Sequence, residues 1–183
     1  LVLQLWTCTR GNEIVQMHTS HFTDEEDGFW WTIPKELTKN LHVQNATDLR
    51  VPIIGRALEI VLRRLANHSS GWLFPRVSVA GVLGSQVQSY MSSKVNYIQP
   101  YSKREPSHIR QRLSVTHWSP HDLRRTGRTK LAAISCPKEV AEEILGHIKP
   151  GVEGMYNLYE YDTERRHWLT LLDAKYEEII SGV

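Results

Sequence analysis

The stretch that decides the fold is Ser119-Pro-His-Asp-Leu-Arg-Arg-Thr-Gly-Arg-Thr129. On a helix that starts near Pro120, His121 and Arg124 are three residues apart and therefore project from one face. An imidazole beside a guanidinium suits the binding of a phosphate group. The stretch thus predicts a helix that presents a phosphate-binding pair, although His121 taken alone also fits a capping or core histidine.

Two further motifs follow this helix along the chain. They are Leu145-Gly-His147 and, nine residues after that histidine, Tyr156. Together with the HxxR pattern they resemble the signature of the tyrosine recombinases, the phage-integrase family, in which an HxxR helix, a later histidine and a tyrosine nucleophile act on DNA. The resemblance extends from about Leu3 to Leu172 and keeps the family order of motifs, which makes it far more specific than HxxR alone.

The resemblance also implies an arginine near the start of the catalytic domain and a lysine on a β-hairpin. Arg10, within Thr7-Cys-Thr-Arg-Gly-Asn-Glu13, matches the arginine. Lys39, which follows Trp31-Thr-Ile-Pro34, matches the lysine. Lys35 competes with it, but the family's lysine lies further past the Ile-Pro pair.

Cleavage of a phosphodiester places extra negative charge on its non-bridging oxygens in the transition state. Two arginines can stabilise that charge without a metal, and the resemblance assigns this role to Arg10 and Arg124. Glu13, one turn after Arg10, is expected to orient it, although an ordinary exposed glutamate also fits the sequence. The resemblance implies that His147 donates a hydrogen bond to the scissile phosphate; taken alone, a Gly-His pair also suits a helix end.

Tyr156 is the predicted nucleophile. Because only about one tyrosine in a thousand is ionised at neutral pH, it needs a proton acceptor, and His121 is suited to that task. Lys39 is the candidate acid for the leaving 5′-oxygen. By analogy with the family, attack then gives a 3′-phosphotyrosyl link without a metal or other cofactor. Tyr159 and Tyr161 lie close by but do not have the family's nine-residue spacing.

Positive charge is concentrated in one part of the chain. The formal net charge is only +2, yet residues 103–130 contain eight lysines and arginines against two acidic residues. Such a stretch fits a solvated basic face or a nucleic-acid contact. Beside the HxxR motif we favour double-stranded DNA, contacted by Lys103, Arg104 and Arg125.

Length and composition restrict the class of protein. The 183 residues fit one domain, 1–183, and include no apolar run near the roughly 20 residues of a membrane span. The two cysteines, Cys8 and Cys136, do not provide a disulfide framework, and no signal peptide is evident, so we expect a cytoplasmic protein. Because the chain starts at Leu1 inside an apolar segment, we expect a catalytic-domain fragment without its N-terminal DNA-binding domains.

The patterning predicts an α+β, mostly α fold, a helical core with a small antiparallel β-sheet near the N-terminus. The resemblance implies that this is the tyrosine recombinase catalytic-domain fold. Phe29–Pro34 and Leu49–Ile54 are expected to pair as a hairpin after an acidic turn at Asp24–Gly28. The stripe of Leu58, Val61, Leu62 and Leu65 predicts a helix that ends near Gly71, and another helix runs from Pro137 to Leu145. The remaining apolar stripes predict two more helices, one with Leu83, Val87, Tyr90 and Met91 and one with Trp168, Leu171, Leu172, Tyr176 and Ile179.

These observations predict a site-specific recombinase, or integrase, that inserts or excises a mobile element. The resemblance implies a homotetramer on DNA attachment sites, with the isolated domain monomeric and residues 163–183 as a segment traded between protomers. Two alternatives stay open: a catalytically silent DNA-binding or regulatory module of the same fold, and a resolvase or topoisomerase. A metal site is disfavoured, because the pairs His18/His21 and His117/His121 have no third ligand at a zinc-like spacing.

Overall fold

The computed structural model describes residues 1–43, 46–68, 71–89, 118–148 and 159–182. Within these ranges the helices are α1 (Val2–Thr7), α2 (Gly11–Val15), α3 (Gly55–Asn67), α4 (Pro120–Ala133), α5 (Lys138–Ile144) and α6 (Asp162–Ser181). The strands are β1 (Phe22–Glu25), β2 (Gly28–Ile33), β3 (Leu49–Pro52), β4 (Pro75–Val77) and β5 (Leu83–Ser85). The predicted mostly helical α+β fold is confirmed.

The predicted hairpin corresponds to β2 and β3, which belong to a three-stranded antiparallel sheet with the order β1-β2-β3. The two predicted segments pair as expected; Trp31 of β2 lies opposite Val51 of β3 and, on its other side, opposite Phe22 of β1. The acidic turn was placed wrongly, because Asp24 and Glu25 belong to β1 and the turn is confined to the two residues that follow. Three of the four residues of this edge strand are exposed, so it has no alternation of buried and exposed positions that the sequence could reveal.

The outer face of the sheet is covered by charged side chains. Arg50 and Arg166 lie over the Trp30 ring, with their guanidinium carbons 4.5 and 4.6 Å from its centroid. Trp30 Nε1 donates to Asp27 Oδ1 at 2.8 Å, and Arg50 Nε donates to Asp162 Oδ2 at 2.6 Å. Trp30 is therefore fully buried between two cations, and these contacts attach the sheet to α6.

Helix α1 lies at the centre of the helical core and packs against α3, α4 and α6. Its Trp6 ring lies 4.7 Å from the ring of Tyr176 in α6, and Trp6 Nε1 donates to Asp173 Oδ1 at 2.6 Å. Val61 of α3 and Leu131 of α4 are fully buried in the same core. Within the described ranges, no helix has the length and apolar character needed to cross a bilayer.

Two helical stripes differ from the prediction. Leu83 lies in strand β5 and is exposed, so the helix assigned to it is wrong there; Tyr90 and Met91 lie outside the described residues. Helix α3 ends at Asn67, and its Leu62 is exposed. The spacing of apolar residues alone does not distinguish a short exposed strand from a helix, because tertiary contacts determine which of the two forms.

The buried face of α6 is rotated relative to the predicted stripe. Arg165, Leu169, Leu172 and Tyr176 are buried, whereas Leu171 and Ile179 are exposed. Arg165 tolerates burial because it pairs with acidic side chains of α5 and α6, at 3.2 Å in each case. The helix packs on β3, α1 and α5 of its own chain.

Adjacent leucines in α6 provide a matched test of this rotation. Leu172→Ala is expected to lower the free energy of unfolding by about 2–5 kcal/mol, because Leu172 is 0% exposed and its truncation leaves a cavity. Leu171→Ala, at a position 40% exposed, is expected to cost less than about 1 kcal/mol. Urea unfolding measures both; equal costs would contradict the observed face.

Candidate active site

The HxxR stretch forms the start of α4, as predicted. Asp122 stabilises this start, because its Oδ2 accepts hydrogen bonds from Ser119 N at 2.7 Å and Ser119 Oγ at 2.8 Å. These bonds hold the pKa of the Asp122 carboxyl below its usual range. Arg124 therefore follows one turn after a well-fixed helix N-terminus.

Arg124 occupies the centre of the site and is only 3% exposed. Its Nη1 donates to the carbonyl oxygen of Cys8 at 2.7 Å, and its Nη2 donates to the carbonyl oxygen of Leu145. Nη2 also lies 3.0 Å from Nε2 of His147. Burial, and then the nearby charge of Arg10, lower the pKa of Arg124 to about 10, so the guanidinium is still cationic at neutral pH.

Close helix packing brings the Cys8 carbonyl to this guanidinium. Cys8 ends α1 in the left-handed region, at φ 55°. A Cβ on Gly127 of α4 would lie 2.5 Å from Cys8 Sγ, so only glycine permits this approach of the two helices. The glycine of the HxxR stretch thus has a packing role.

Arg10 and Glu13 form a second fixed unit beside Arg124. Glu13 is 1% exposed; its Oε2 accepts from the backbone N–H of Arg10 at 2.7 Å, and its Oε1 accepts from Arg10 Nη1 at 3.0 Å. Glu13 is therefore a buried partner of Arg10 rather than an exposed glutamate. Two guanidinium groups approach one another here, and a carboxylate offsets part of their repulsion.

His147 follows the end of α5 at a sharp change of backbone direction. Gly146 has φ 62°, and a Cβ there would lie 2.6 Å from Leu49 Cδ2, so glycine is required on both counts. The His147 ring is bounded on one side by Arg124 and on the other by Glu142, whose Oε2 lies 2.5 Å from Nδ1. Arg128 Nε donates to the other oxygen of Glu142 at 3.2 Å.

The loop between β2 and β3 reaches this site through Asn40. Asn40 Nδ2 donates to the carbonyl oxygen of Gly146 at 3.1 Å, and its backbone N–H donates to Thr38 Oγ1 at the same distance. Lys39 lies between Thr38 and Asn40 in the sequence and is exposed. The structure therefore brings the predicted lysine's loop to the Leu-Gly-His motif, while the Lys39 ammonium has no hydrogen-bond partner among the residues that the structure describes.

The other predicted site residues have different surroundings. His121 is exposed on the first turn of α4 and makes no hydrogen bond within the described ranges. Arg125 is exposed and pairs with Asp122 at 3.0 Å. Tyr156, Lys103 and Arg104 lie outside the described residues. Within the described ranges, no three His, Cys, Asp or Glu side chains are grouped as metal ligands.

Three residues of the site were missed by sequence reasoning. Glu142 contacts His147, Arg128 contacts Glu142, and Asn40 donates to the carbonyl oxygen of Gly146, the residue before His147. These bonds depend on the loop between β2 and β3 and on the end of α5. Position 142 precedes His147 by five residues, a spacing that places the two side chains together only because the helix ends between them. A local sequence signal for these contacts was absent.

Two guanidinium groups and an imidazole drawn from separate segments form an arrangement that suits the binding of an oxyanion. A family model described as the phage integrase family matches residues 1–160. The chain belongs to this family, the tyrosine recombinases. No curated protein sequence matches the chain significantly.

The two thiols test the packing around Arg124. Burial raises the pKa of Cys8 to about 12 and that of Cys136 to about 11. The folded thiols therefore bind protons more tightly than unfolded ones, so their contribution to stability is complete below about pH 8.5 and is lost as the pH rises through the folded pKa values.

At about pH 8 we expect a disulfide reagent to label both cysteines quickly in urea and slowly in the folded protein. Cys8, which is completely buried, is expected to react last, after Cys136 at 8% exposure. Peptide mapping by mass spectrometry distinguishes the two sites. Rapid labelling of Cys8 in the folded protein would show that α1 and α4 do not pack as described.

Proposed function

We propose that the protein is a site-specific DNA recombinase, an integrase, which cuts and rejoins DNA through a 3′-phosphotyrosyl intermediate at Tyr156. The observation that carries the proposal is the cluster of Arg10, Arg124 and His147. Its cationic and imidazole groups are held in place by contacts within the protein. Such an arrangement lowers the reorganisation needed to stabilise negative charge as it develops.

The two arginines provide charge for the non-bridging oxygens of the phosphate. Arg124 uses three N–H groups for Cys8, Leu145 and His147, and a guanidinium has five. Arg10 is anchored through one nitrogen by Glu13. Donors therefore remain on both side chains for a phosphodiester, and their orientation is fixed by the bonds already made.

The chemical steps follow from the family and from the residue types. The Tyr156 oxygen attacks phosphorus and forms a P–O bond, while the P–O5′ bond breaks. His121 takes the phenolic proton and Lys39 gives a proton to the departing 5′-oxygen. Because one phosphoester replaces another, a 5′-hydroxyl reverses the step on a new strand without ATP, a metal or another cofactor.

The described tyrosines support the choice of Tyr156. The Tyr159 hydroxyl donates to both oxygens of Glu164, at 2.9 and 3.1 Å, and this raises the pKa of Tyr159. A nucleophilic phenol requires the opposite change. Tyr161 is the N-cap of α6, and its ring packs edge-on against Tyr159.

The proposed substrate is double-stranded DNA at attachment sites. Insertion or excision of a mobile element follows from four protomers acting together on two duplexes, whereas the isolated domain is monomeric in this proposal. Arg125, which is exposed on α4, is one candidate contact to the DNA backbone. Lys103 and Arg104 are the others, and the proposed location is the cytoplasm.

Covalent trapping tests the reaction and its nucleophile together. Nicked duplexes carrying the cognate site are expected to give a protein–DNA adduct that survives SDS, and Tyr156→Phe is expected to abolish it because no phenol oxygen remains to attack. Tyr159→Phe is the matched control and is expected to retain the adduct. No adduct from protein that demonstrably binds its site would favour the catalytically silent module.

The basic segment is tested by the salt dependence of DNA binding. Replacing Lys103 and Arg104 with glutamine is expected to reduce the slope of log K against log salt by up to about two, because each phosphate contact contributes about 0.9. Lys175→Gln is the control, since Lys175 pairs with Glu178 on α6 at 2.7 Å. An unchanged slope in the double variant would remove both residues from the interface.

A further inference from the structure

Among the residues that the structure describes, Glu142 is the carboxylate that contacts the ring of His147, the proposed phosphate-binding histidine. Its two oxygens have separate partners: Oε2 lies 2.5 Å from His147 Nδ1, and Oε1 accepts from Arg128 Nε at 3.2 Å. Partial burial acts to raise the pKa of Glu142, but the hydrogen bonds from His147 and Arg128 hold it below its usual range. Glu142 is therefore ionised at neutral pH and accepts hydrogen bonds only.

These partners determine where the His147 ring carries its proton. Because an ionised carboxylate is an acceptor, the hydrogen lies on Nδ1. Because a guanidinium is a donor only, Nε2 presents its lone pair to Arg124 Nη2 at 3.0 Å. In this arrangement His147 is a neutral imidazole whose Nε2 accepts a hydrogen bond.

Binding of a phosphate requires Nε2 of His147 to change from a hydrogen-bond acceptor to a donor. The proposed role of His147 requires Nε2–H to donate to a phosphate oxygen, so Nε2 must gain a proton from solvent when the Arg124 N–H turns from Nε2 to the phosphate. The resulting imidazolium donates through both nitrogens. Its Nδ1 donates to the carboxylate of Glu142, and its positive charge is offset there.

We propose that Glu142 is a positioning residue for His147: it fixes the imidazole through Nδ1 and supplies the counter-charge for the protonated ring that binds the scissile phosphate. This inference rests on the proposed recombinase function. Arg128 holds the carboxylate in place from α4. Arg128, Glu142 and His147 therefore form a chain of hydrogen bonds whose last member, His147, binds the phosphate. Glu142 itself touches no reacting atom.

Other charges around the ring make its protonation costly without Glu142. Arg124 faces Nε2 from α4, Arg128 lies behind the carboxylate, and Arg10 contributes positive charge beside Arg124. The Lys39 loop approaches through its neighbour's bond to Gly146. Against these four cations, Glu142 is the carboxylate in direct contact with the ring; Glu13 is engaged by Arg10.

The pH dependence of covalent adduct formation tests this role. Glu142→Gln keeps an acceptor for Nδ1–H but removes the charge, so the high-pH limb of the rate profile is expected to move about half a unit to lower pH. Glu142→Ala removes both effects and is expected to lower the rate about tenfold. Glu139→Gln is the matched control: it lies exposed on the same helix, makes no ion pair in the described ranges, and should leave the profile unchanged.

Long-range nitrogen NMR of the histidine rings provides a readout that does not require catalysis. At mildly alkaline pH the DNA-free protein is expected to show His147 protonated at Nδ1 only, with the signal assigned by its loss in His147→Gln. Glu142→Ala is expected to release the ring to a mixture of tautomers. An Nε2-protonated ring in the unsubstituted protein would overturn the inference.

The outcomes separate the inference from the proposed function. If the unsubstituted protein forms the adduct and the Glu142 variants match it in rate and pH profile, the role of Glu142 is wrong and the recombinase function stands. If the unsubstituted protein forms no adduct on DNA that it binds, the recombinase function fails and this role fails with it. The tautomer spectra then still show whether Glu142 fixes the ring.

Discussion

Burial of one guanidinium, that of Arg124, is the constraint on which this structure depends. A charged group removed from water is tolerated only when its donors are satisfied, and this one is 3% exposed. Its acceptors come from residues 116 and 21 positions away in sequence: the carbonyls of Cys8 and Leu145. Satisfying Arg124 therefore requires the first helix and the Leu-Gly-His turn to converge on α4, which assembles the site as a consequence of folding.

The two carbonyls share a structural property that explains why they suit a cation. Cys8 is the C-cap of α1 and Leu145 is the C-cap of α5. Carbonyls at helix C-termini have no partner within the helix and carry the negative end of its dipole. The guanidinium of Arg124 thus donates hydrogen bonds to the C-terminal carbonyls of two helices. Cys8 and Gly146 both adopt positive φ, which ends each helix shortly before a residue of the site, Arg10 or His147.

Local patterns predicted the parts of this structure that local physics determines. The HxxR helix, the β2–β3 hairpin and the order of the motifs could be read from the sequence because spacing and turn residues specify them. The buried face of α6 could not, since it includes Arg165, whose burial depends on Glu143 and Asp162. Glu142 escaped notice for the same reason: its partners meet only in the folded chain. The periodicity of apolar residues cannot predict that a charged side chain is buried when its ionic partners come from other parts of the chain.

Under the proposed function, the hydrogen bonds of Arg124 also determine how the site responds to a phosphate. The bonds to the two helix-end carbonyls hold the guanidinium in the fold, so a ligand has no reason to displace them. The bond to His147 differs, because it joins the cation to an imidazole that is partly exposed and held on its other side by Glu142. Rearrangement on phosphate binding is therefore confined to one N–H and one ring nitrogen. A site in which the charge is fixed by the backbone, and only the proton on an imidazole moves, stabilises a developing oxyanion with little reorganisation of the protein.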